Sequence, residues 1–152
     1  MNNGKEFCNR LKKAEIFLNS AKKDFITEDF REVIQNSQSC IELSLKAIIS
    51  YFAEPEWIHE PSAQLIKIIK EKNLENMLNK EIINSLYTIT QYSKESAPWH
   101  SLTIYGADEN GIHISVEELY TKEKAEYFLK RAEESFSIAK MFFEKIKGEN
   151  TK

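Results

Sequence analysis

The 152-residue sequence has little of the material that tight turns and phosphate-binding loops require. It contains four glycines and three prolines, which argues against a sandwich of many strands and against a glycine-rich phosphate loop. No apolar run approaches the roughly 18 residues of a membrane span, and residues 1–6 lack the apolar core of a signal peptide. We therefore expect a cytoplasmic protein with no membrane partner.

An excess of positive charge is also missing. Twenty-one Lys and Arg against 24 Asp and Glu give a formal charge of −3, so no overall basic surface indicates binding to nucleic acid or to a membrane. A local basic patch stays open. The hydrophobic content of 41% and the charged content of 30% are typical of one globular domain, and we expect a single domain over residues 1–152.

Only two cysteines are present, Cys8 and Cys40. In the helical hairpin predicted below they lie roughly 10–15 Å apart along the axis, at about 1.5 Å per residue, which is beyond the reach of a disulfide. Both are predicted to be reduced. Cys40 lies on an apolar helical stripe, which favours a small core residue over a nucleophile.

Apolar side chains recur at helical spacing in five segments, which we predict to be helices. The segments are residues 5–26, 29–52, 61–73, 79–93 and 121–148. Asp29 and Glu32 form a capping-box pattern, and Thr121 is a predicted cap of the last helix. The short join at residues 27–29 makes the first two helices an antiparallel hairpin.

The sequence predicts no strand, because residues 111–115 alternate in polarity but are too short and isolated. The predicted fold class is therefore all-α, an up-and-down bundle of four to five helices. The long connection at residues 96–115 holds two of the four glycines. Connections of this length inside a small domain are often functional, so this segment is a candidate site.

Three histidines, His59, His100 and His113, lie in predicted loops. None has the helical spacing to a second histidine or to a glutamate that a metal site needs, so we predict no metal and no cofactor. His59 precedes Pro61 and is predicted to cap the third helix. The common glycine-loop and nucleophile motifs are absent.

Four segments, in this order and spacing, resemble the HEPN domain family of small prokaryotic helical proteins. They are residues 39–47 (SCIELSLKA), 57–59 (WIH), 98–106 (PWHSLTIYG) and 118–125 (ELYTKEKA). The resemblance implies a helical bundle that dimerises, with a cleft at the interface near the end of the fourth helix. Members are described as nucleotide-binding modules, as RNA-cleaving toxins neutralised by a small nucleotidyltransferase, or as components of defence systems.

RNA-cleaving members of this family carry an arginine, a polar residue, spacers and a histidine. The matching segment here is residues 94–100 (KESAPWH), in which Lys94 replaces the arginine and the acidic Glu95 follows it. Ile104 stands where the family often has an arginine before Tyr-Gly. Metal-free cleavage needs a base for the 2′-hydroxyl and a cation for the phosphate, roles that fall to His100 and Lys94. The alternative is a solvated loop histidine and a cation at a helix end.

The expected function is a homodimeric, non-catalytic module that binds a nucleotide or a small nucleotidyltransferase in a toxin–antitoxin-like pair. The alternative is a metal-independent ribonuclease toxin that uses His100 and Lys94. Glu42 and Lys46 match recurrent family positions and either line the cleft or form a surface ion pair. Trp57, Trp99 and Tyr105 either stack on a base or pack at a bundle end or dimer contact, with packing favoured. The predicted nucleotide- or partner-binding residues are Glu42, Lys46, Trp99 and Tyr105.

Overall fold

The computed structural model describes residues 3–105, 107–109 and 111–150, and helices make up most of them. Side chains are described for these residues except 103–105, 107, 109, 116–117 and 149–150. The elements in chain order are α1 (Asn3–Ile26), α2 (Phe30–Phe52), α3 (Ser62–Glu71), α4 (Leu74–Met77), α5 (Lys80–Ser96), α6 (Trp99–Tyr105), β1 (Ala107–Glu109), β2 (Ile112–Ile114), α7 (Val116–Leu119) and α8 (Lys122–Asn150). The predicted all-α helical bundle is confirmed, and its five longest helices match the five predicted segments.

Local side chains begin the long helices where the sequence indicates. The Asp29 carboxylate accepts a hydrogen bond from the Glu32 amide at 3.4 Å, and Thr121 accepts one from the Lys124 amide at 3.2 Å. Both predicted caps are therefore confirmed. The predicted cap of α3 is wrong by one residue, since the Ser62 amide donates to Glu60 and not to His59. A carboxylate is the stronger acceptor at a helix N-terminus.

The join between α1 and α2 is as short as predicted, and the two helices pack as a hairpin. Glu28 takes a left-handed backbone conformation, with φ of 61°. Cys8 and Cys40 are both free thiols, as predicted. Cys40 is buried, and its thiol contacts the Ala132 carbonyl of α8 at 3.7 Å. It is a core residue.

The core consists of two clusters of apolar side chains, one toward each end of the bundle. The first cluster packs around the side chains of Phe7, Leu45, Ile48, Leu65, Ile69, Leu86 and Phe142. The second contains the side chains of Ala14, Leu18, Val33, Ile34, Ile41, Phe128 and Ala132. Helices α1, α2 and α8 contribute to both clusters, and α3 and α5 cover the first. Helices α1, α2 and α8 therefore bury apolar side chains in both clusters.

A short hairpin corrects the prediction that the chain has no strand. Residues 112–114 pair antiparallel with residues 107–109, in a register that places Asp108 opposite His113. Gly111 has φ of 78°, the conformation that a tight turn requires and that glycine adopts without strain. The alternation at residues 111–115 was a real strand signal, because the preceding segment supplies its partner.

No helix in the described ranges combines the length and the apolar character that a membrane crossing demands.

Phe142 lies at the centre of the first cluster with 1% of its surface exposed, between the rings of Phe7, Tyr51 and Phe52. We expect Phe142→Ala to lower the free energy of unfolding by about 3–5 kcal/mol, because the truncation leaves a cavity. Urea unfolding checks this. The control Ile26→Ala removes an 81% exposed side chain and should change the stability by less than about 0.5 kcal/mol. Equal midpoints for both variants would contradict the described core.

Burial raises the pKa of the Cys40 thiol from 9.0 to about 12. Because the thiolate is the reactive form, we expect one fast-reacting thiol per chain at pH 9.0 in the native protein and two after denaturation. A colorimetric thiol assay measures both. In Cys8→Ser the native protein should show no fast-reacting thiol, and a fast phase in that variant would place Cys40 at the surface.

Candidate functional site

The segment between α2 and α3, residues 53–61, is called the connector here. Gln64 holds its first half, since the side-chain amide donates to the Glu54 carbonyl and accepts from the Glu56 amide, both at 2.9 Å. Glu60 holds its end by accepting from the Ser62 amide at 3.0 Å and from the Ser93 hydroxyl at 3.3 Å. The connector is thus fixed to α3 and α5 while its middle points outward.

Four polar side chains from three elements meet beside the connector. Glu42 and Lys46 come from α2, His59 from the connector and His100 from α6. Glu42 Oε1 lies 2.9 Å from His59 Nδ1, and Glu42 Oε2 lies 3.8 Å from Lys46 Nζ. The two imidazole rings stack with centroids 3.9 Å apart and an interplanar angle of 25°. We call these four residues the histidine cluster.

The hydrogen bond within the histidine cluster sets the chemistry of His59. A carboxylate at Nδ1 favours the tautomer with the proton on Nδ1, which leaves Nε2 able to accept a proton. The His59 side chain is 61% exposed, whereas the side chain of Glu42 is only 15% exposed. The Nδ1 atom of His100 is buried. Of the two stacked histidines, His59 is therefore the more exposed to solvent.

A cavity of about 420 Å³ opens next to the histidine cluster. We call it the connector cavity, and it is lined by Arg10, Leu43, Lys46, Glu54, Pro55, Glu56, Trp57, Ile58 and His59. Trp57 is 97% exposed, so it does not pack against the bundle end, and the dimer contact and the base stack stay predictions for this residue. The Arg10 guanidinium lies 2.8 Å from Glu6 and 3.8 Å from Glu54. The cavity thus combines cations with an exposed aromatic ring.

Lys94 and His100 have different surroundings, although the sequence suggests that they act together. Lys94 is exposed and lines a second cavity, of about 490 Å³, with Glu60 and the α3 lysines Lys67 and Lys70. His100 stacks on His59. The predicted catalytic pair stays a prediction, but the imidazole beside His100 comes from the connector.

Glu95 turns toward α8 and not toward an incoming phosphate. Its carboxylate lies 3.2 Å from Arg131 Nε and accepts a hydrogen bond from the Tyr127 hydroxyl. That hydrogen bond raises the pKa of Tyr127, because an ionised phenol would face the carboxylate. Arg131 also stacks over the rings of Tyr92 and Tyr127 at 4.8 and 3.8 Å. The charge of Glu95 is compensated within the bundle.

Trp99 is partly buried at the second core cluster. Its ring lies 5.9 Å from that of Tyr120 and 5.5 Å from that of Phe128, with Lys124 Nζ at 5.1 Å. These contacts agree with the packing alternative for this residue. The side chains of Ile104 and Tyr105 lie outside the described part of the structure. Glu42 and Lys46 form the predicted ion pair, but their side chains are only 15% and 16% exposed.

Sequence reasoning missed Arg10 and gave His59 only the role of a helix cap. The signal for His59 was its position beside Trp57 and Ile58 in a segment between prolines. Arg10 gave no signal, because it lies on α1 and reaches the connector cavity only after the hairpin has formed. Within the described ranges no group of three or more metal-ligating side chains occurs, and the absence of a metal stays a prediction.

Most of the chain matches one family of known proteins. A model of the HEPN domain matches residues 9–142, a span that includes most of α1, all of α2, the connector and His100. No curated protein and no solved structure matches the chain. Since the matched span covers most of the sequence and ends within α8, the chain belongs to the HEPN domain family.

Proposed function

We propose that this HEPN domain binds a nucleotide unit, free or within single-stranded RNA, at the connector cavity. The observation that carries the proposal is Trp57, which is 97% exposed at a cavity that Arg10, Lys46 and His59 also line. Aromatic side chains stack on any nucleobase, and neighbouring cations bind its phosphate. A cavity of about 420 Å³ is within the ordinary size range of small-ligand sites.

The charges around the connector cavity balance one another. Glu54 and Glu56 also line the cavity, and they would oppose a phosphate if they acted alone. The Arg10 guanidinium lies 3.8 Å from Glu54 and compensates its charge. Glu42 is compensated by Lys46 and hydrogen-bonded to His59. Arg10 and Lys46 are thus matched by an equal number of lining carboxylates, Glu54 and Glu56, so the cavity offers cationic side chains but no excess of positive charge.

We expect Trp57→Ala to weaken binding of a fluorescently labelled oligoribonucleotide by roughly 5- to 150-fold, since one base stack contributes about 1–3 kcal/mol. Fluorescence anisotropy at fixed salt measures the affinity. The matched control is Met77→Ala, which removes another exposed apolar side chain, at 72% exposure, from α4. If both variants bind as tightly as the wild type, the connector cavity is not the binding site.

The oligomeric state and the protein partner rest on family membership. The homodimer with a cleft at its interface, and the small nucleotidyltransferase of a toxin–antitoxin-like pair, stay predictions. In this first candidate the domain acts through binding alone. The single domain over residues 1–152 and the cytoplasmic location are proposals of the same kind.

A second candidate function, a metal-independent ribonuclease, is favoured by the stacking of His100 on His59. One sequence objection to catalysis loses force, because Glu95 pairs with Arg131 and its charge is compensated there. The replacement of the motif arginine by Lys94 stands, since the second imidazole, 3.9 Å from that of His100, adds a group for proton transfer and no permanent charge. Binding at the connector cavity is common to both candidates, and the second adds cleavage.

For the ribonuclease candidate we expect the purified wild type to cleave a mixed RNA pool in the presence of a chelator. His100→Ala should reduce the rate by about 10²- to 10⁴-fold, the usual contribution of a general acid or base. Gel analysis of the products after identical purification of both proteins excludes a contaminating ribonuclease. Equal inactivity of the two preparations would leave binding alone as the function.

A further inference from the structure

His59 and His100 stack on each other, and only His100 belongs to the family motif. His100 occupies the motif position, and Lys94 stands where the arginine is expected. The group in contact with His100 is His59, whose ring centroid lies 3.9 Å away. We propose that His59, oriented by Glu42, is the general base of RNA cleavage and that His100 is the general acid. This inference rests on the ribonuclease candidate.

The hydrogen bond from His59 to Glu42 gives the two histidines different roles. Glu42 Oε1 at 2.9 Å from Nδ1 holds the ring in the tautomer whose Nε2 accepts a proton, and the carboxylate then stabilises the imidazolium that forms. The His59 side chain is 61% exposed, so a substrate hydroxyl reaches it directly. His100 is more shielded and has a buried Nδ1. The exposed, carboxylate-bound ring is the base, and its stacked neighbour is the acid.

The substrate class follows from the role of His59 as a base. A base needs a hydroxyl next to a phosphodiester, which RNA supplies as the 2′-hydroxyl and DNA lacks. His59 takes the 2′-hydroxyl proton, and the 2′-oxygen forms a bond to phosphorus. The bond between phosphorus and the 5′-oxygen breaks, and protonated His100 gives its proton to that oxygen. The products are a 2′,3′-cyclic phosphate and a 5′-hydroxyl, and exchange with water restores both rings.

The charged neighbours of the pair support the phosphate through this step. Lys46 and Arg10 line the same cavity, where Lys46 pairs with Glu42 and Arg10 with Glu54, both at 3.8 Å. A phosphate there shares these two cations with the carboxylates. The titratable and charged groups around His59 are Glu42 and Lys46 of α2, Arg10 of α1, Glu54 and Glu56 of the connector, and His100 of α6. Trp57 at the rim stacks on an unpaired base and selects single-stranded RNA.

Single-turnover cleavage of an oligoribonucleotide in chelator tests the assignment with two glutamine variants. We expect His59→Gln to lose about 10²- to 10⁴-fold in rate at saturating protein. The matched control is His113→Gln, because His113 is 60% exposed and its Nδ1 lies 2.9 Å from Asp108. His113 has the same kind of carboxylate contact as His59 but lies in β2, so this control should cleave at the wild-type rate.

Two further readouts separate a general base from a residue that only supports the structure. The wild-type rate should fall in acid, where the base is protonated, and in alkali, where the acid is deprotonated. In His59→Gln the fall in acid should disappear while the fall in alkali stays. Added imidazole should restore part of the rate of His59→Ala and none of the rate of His100→Ala at alkaline pH, where free imidazole is not an acid. Thermal melts establish that each variant is folded.

Each remaining outcome overturns a defined claim. If His59→Gln cleaves at the rate of His113→Gln with an unchanged pH profile, the role of His59 is wrong while the ribonuclease candidate stands. If His59→Gln loses affinity but keeps the wild-type rate at saturation, His59 binds RNA without acting as a base, and the proposal fails. If the wild type does not cleave RNA at all, the ribonuclease candidate fails and this proposal fails with it.

Discussion

Burial of α2 is the constraint on which both the fold and the candidate site depend. This helix contributes to both core clusters, with side chains such as Val33, Ile41, Leu45 and Ile48 fully buried. Only a narrow polar stripe remains on its surface, and Glu42 and Lys46 lie there with side chains 15% and 16% exposed. A carboxylate with so little access to water needs donors from the protein. The ammonium of Lys46 and the ring of His59 supply them.

The connector can present His59 to Glu42 because hydrogen bonds hold the connector itself in place. Gln64 of α3 makes two backbone hydrogen bonds to it, and Glu60 joins its end to α3 and to Ser93 of α5. These contacts lie on either side of Trp57, so an exposed aromatic ring is carried on an anchored segment. A site whose ring is already positioned loses less entropy when a ligand binds than one on a mobile loop.

The parts of the fold that the sequence predicts are those determined by neighbours along the chain. Helical periodicity and the caps at Asp29 and Thr121 depend on residues within a few positions of one another, and the structure confirms them. The β1–β2 hairpin escaped prediction because residues 107–109 carry no strand signal of their own. His59 was assigned to the wrong partner for the same physical reason. Its contacts, Glu42 and His100, lie 17 and 41 residues away, and only packing of the bundle brings them together.

The end of α5 and the connector lie side by side. The connector therefore places His59 close to the motif residues that begin at the end of α5. Glu60 follows His59 and accepts a hydrogen bond from Ser93, the residue before Lys94, at 3.3 Å. This hydrogen bond therefore joins the connector to the residue that precedes the motif position. A lysine at that position provides charge but not the planar, two-point grip of an arginine on a phosphate. An imidazole from the neighbouring connector is already in contact with His100, so in the ribonuclease proposal the motif acts together with a residue outside it.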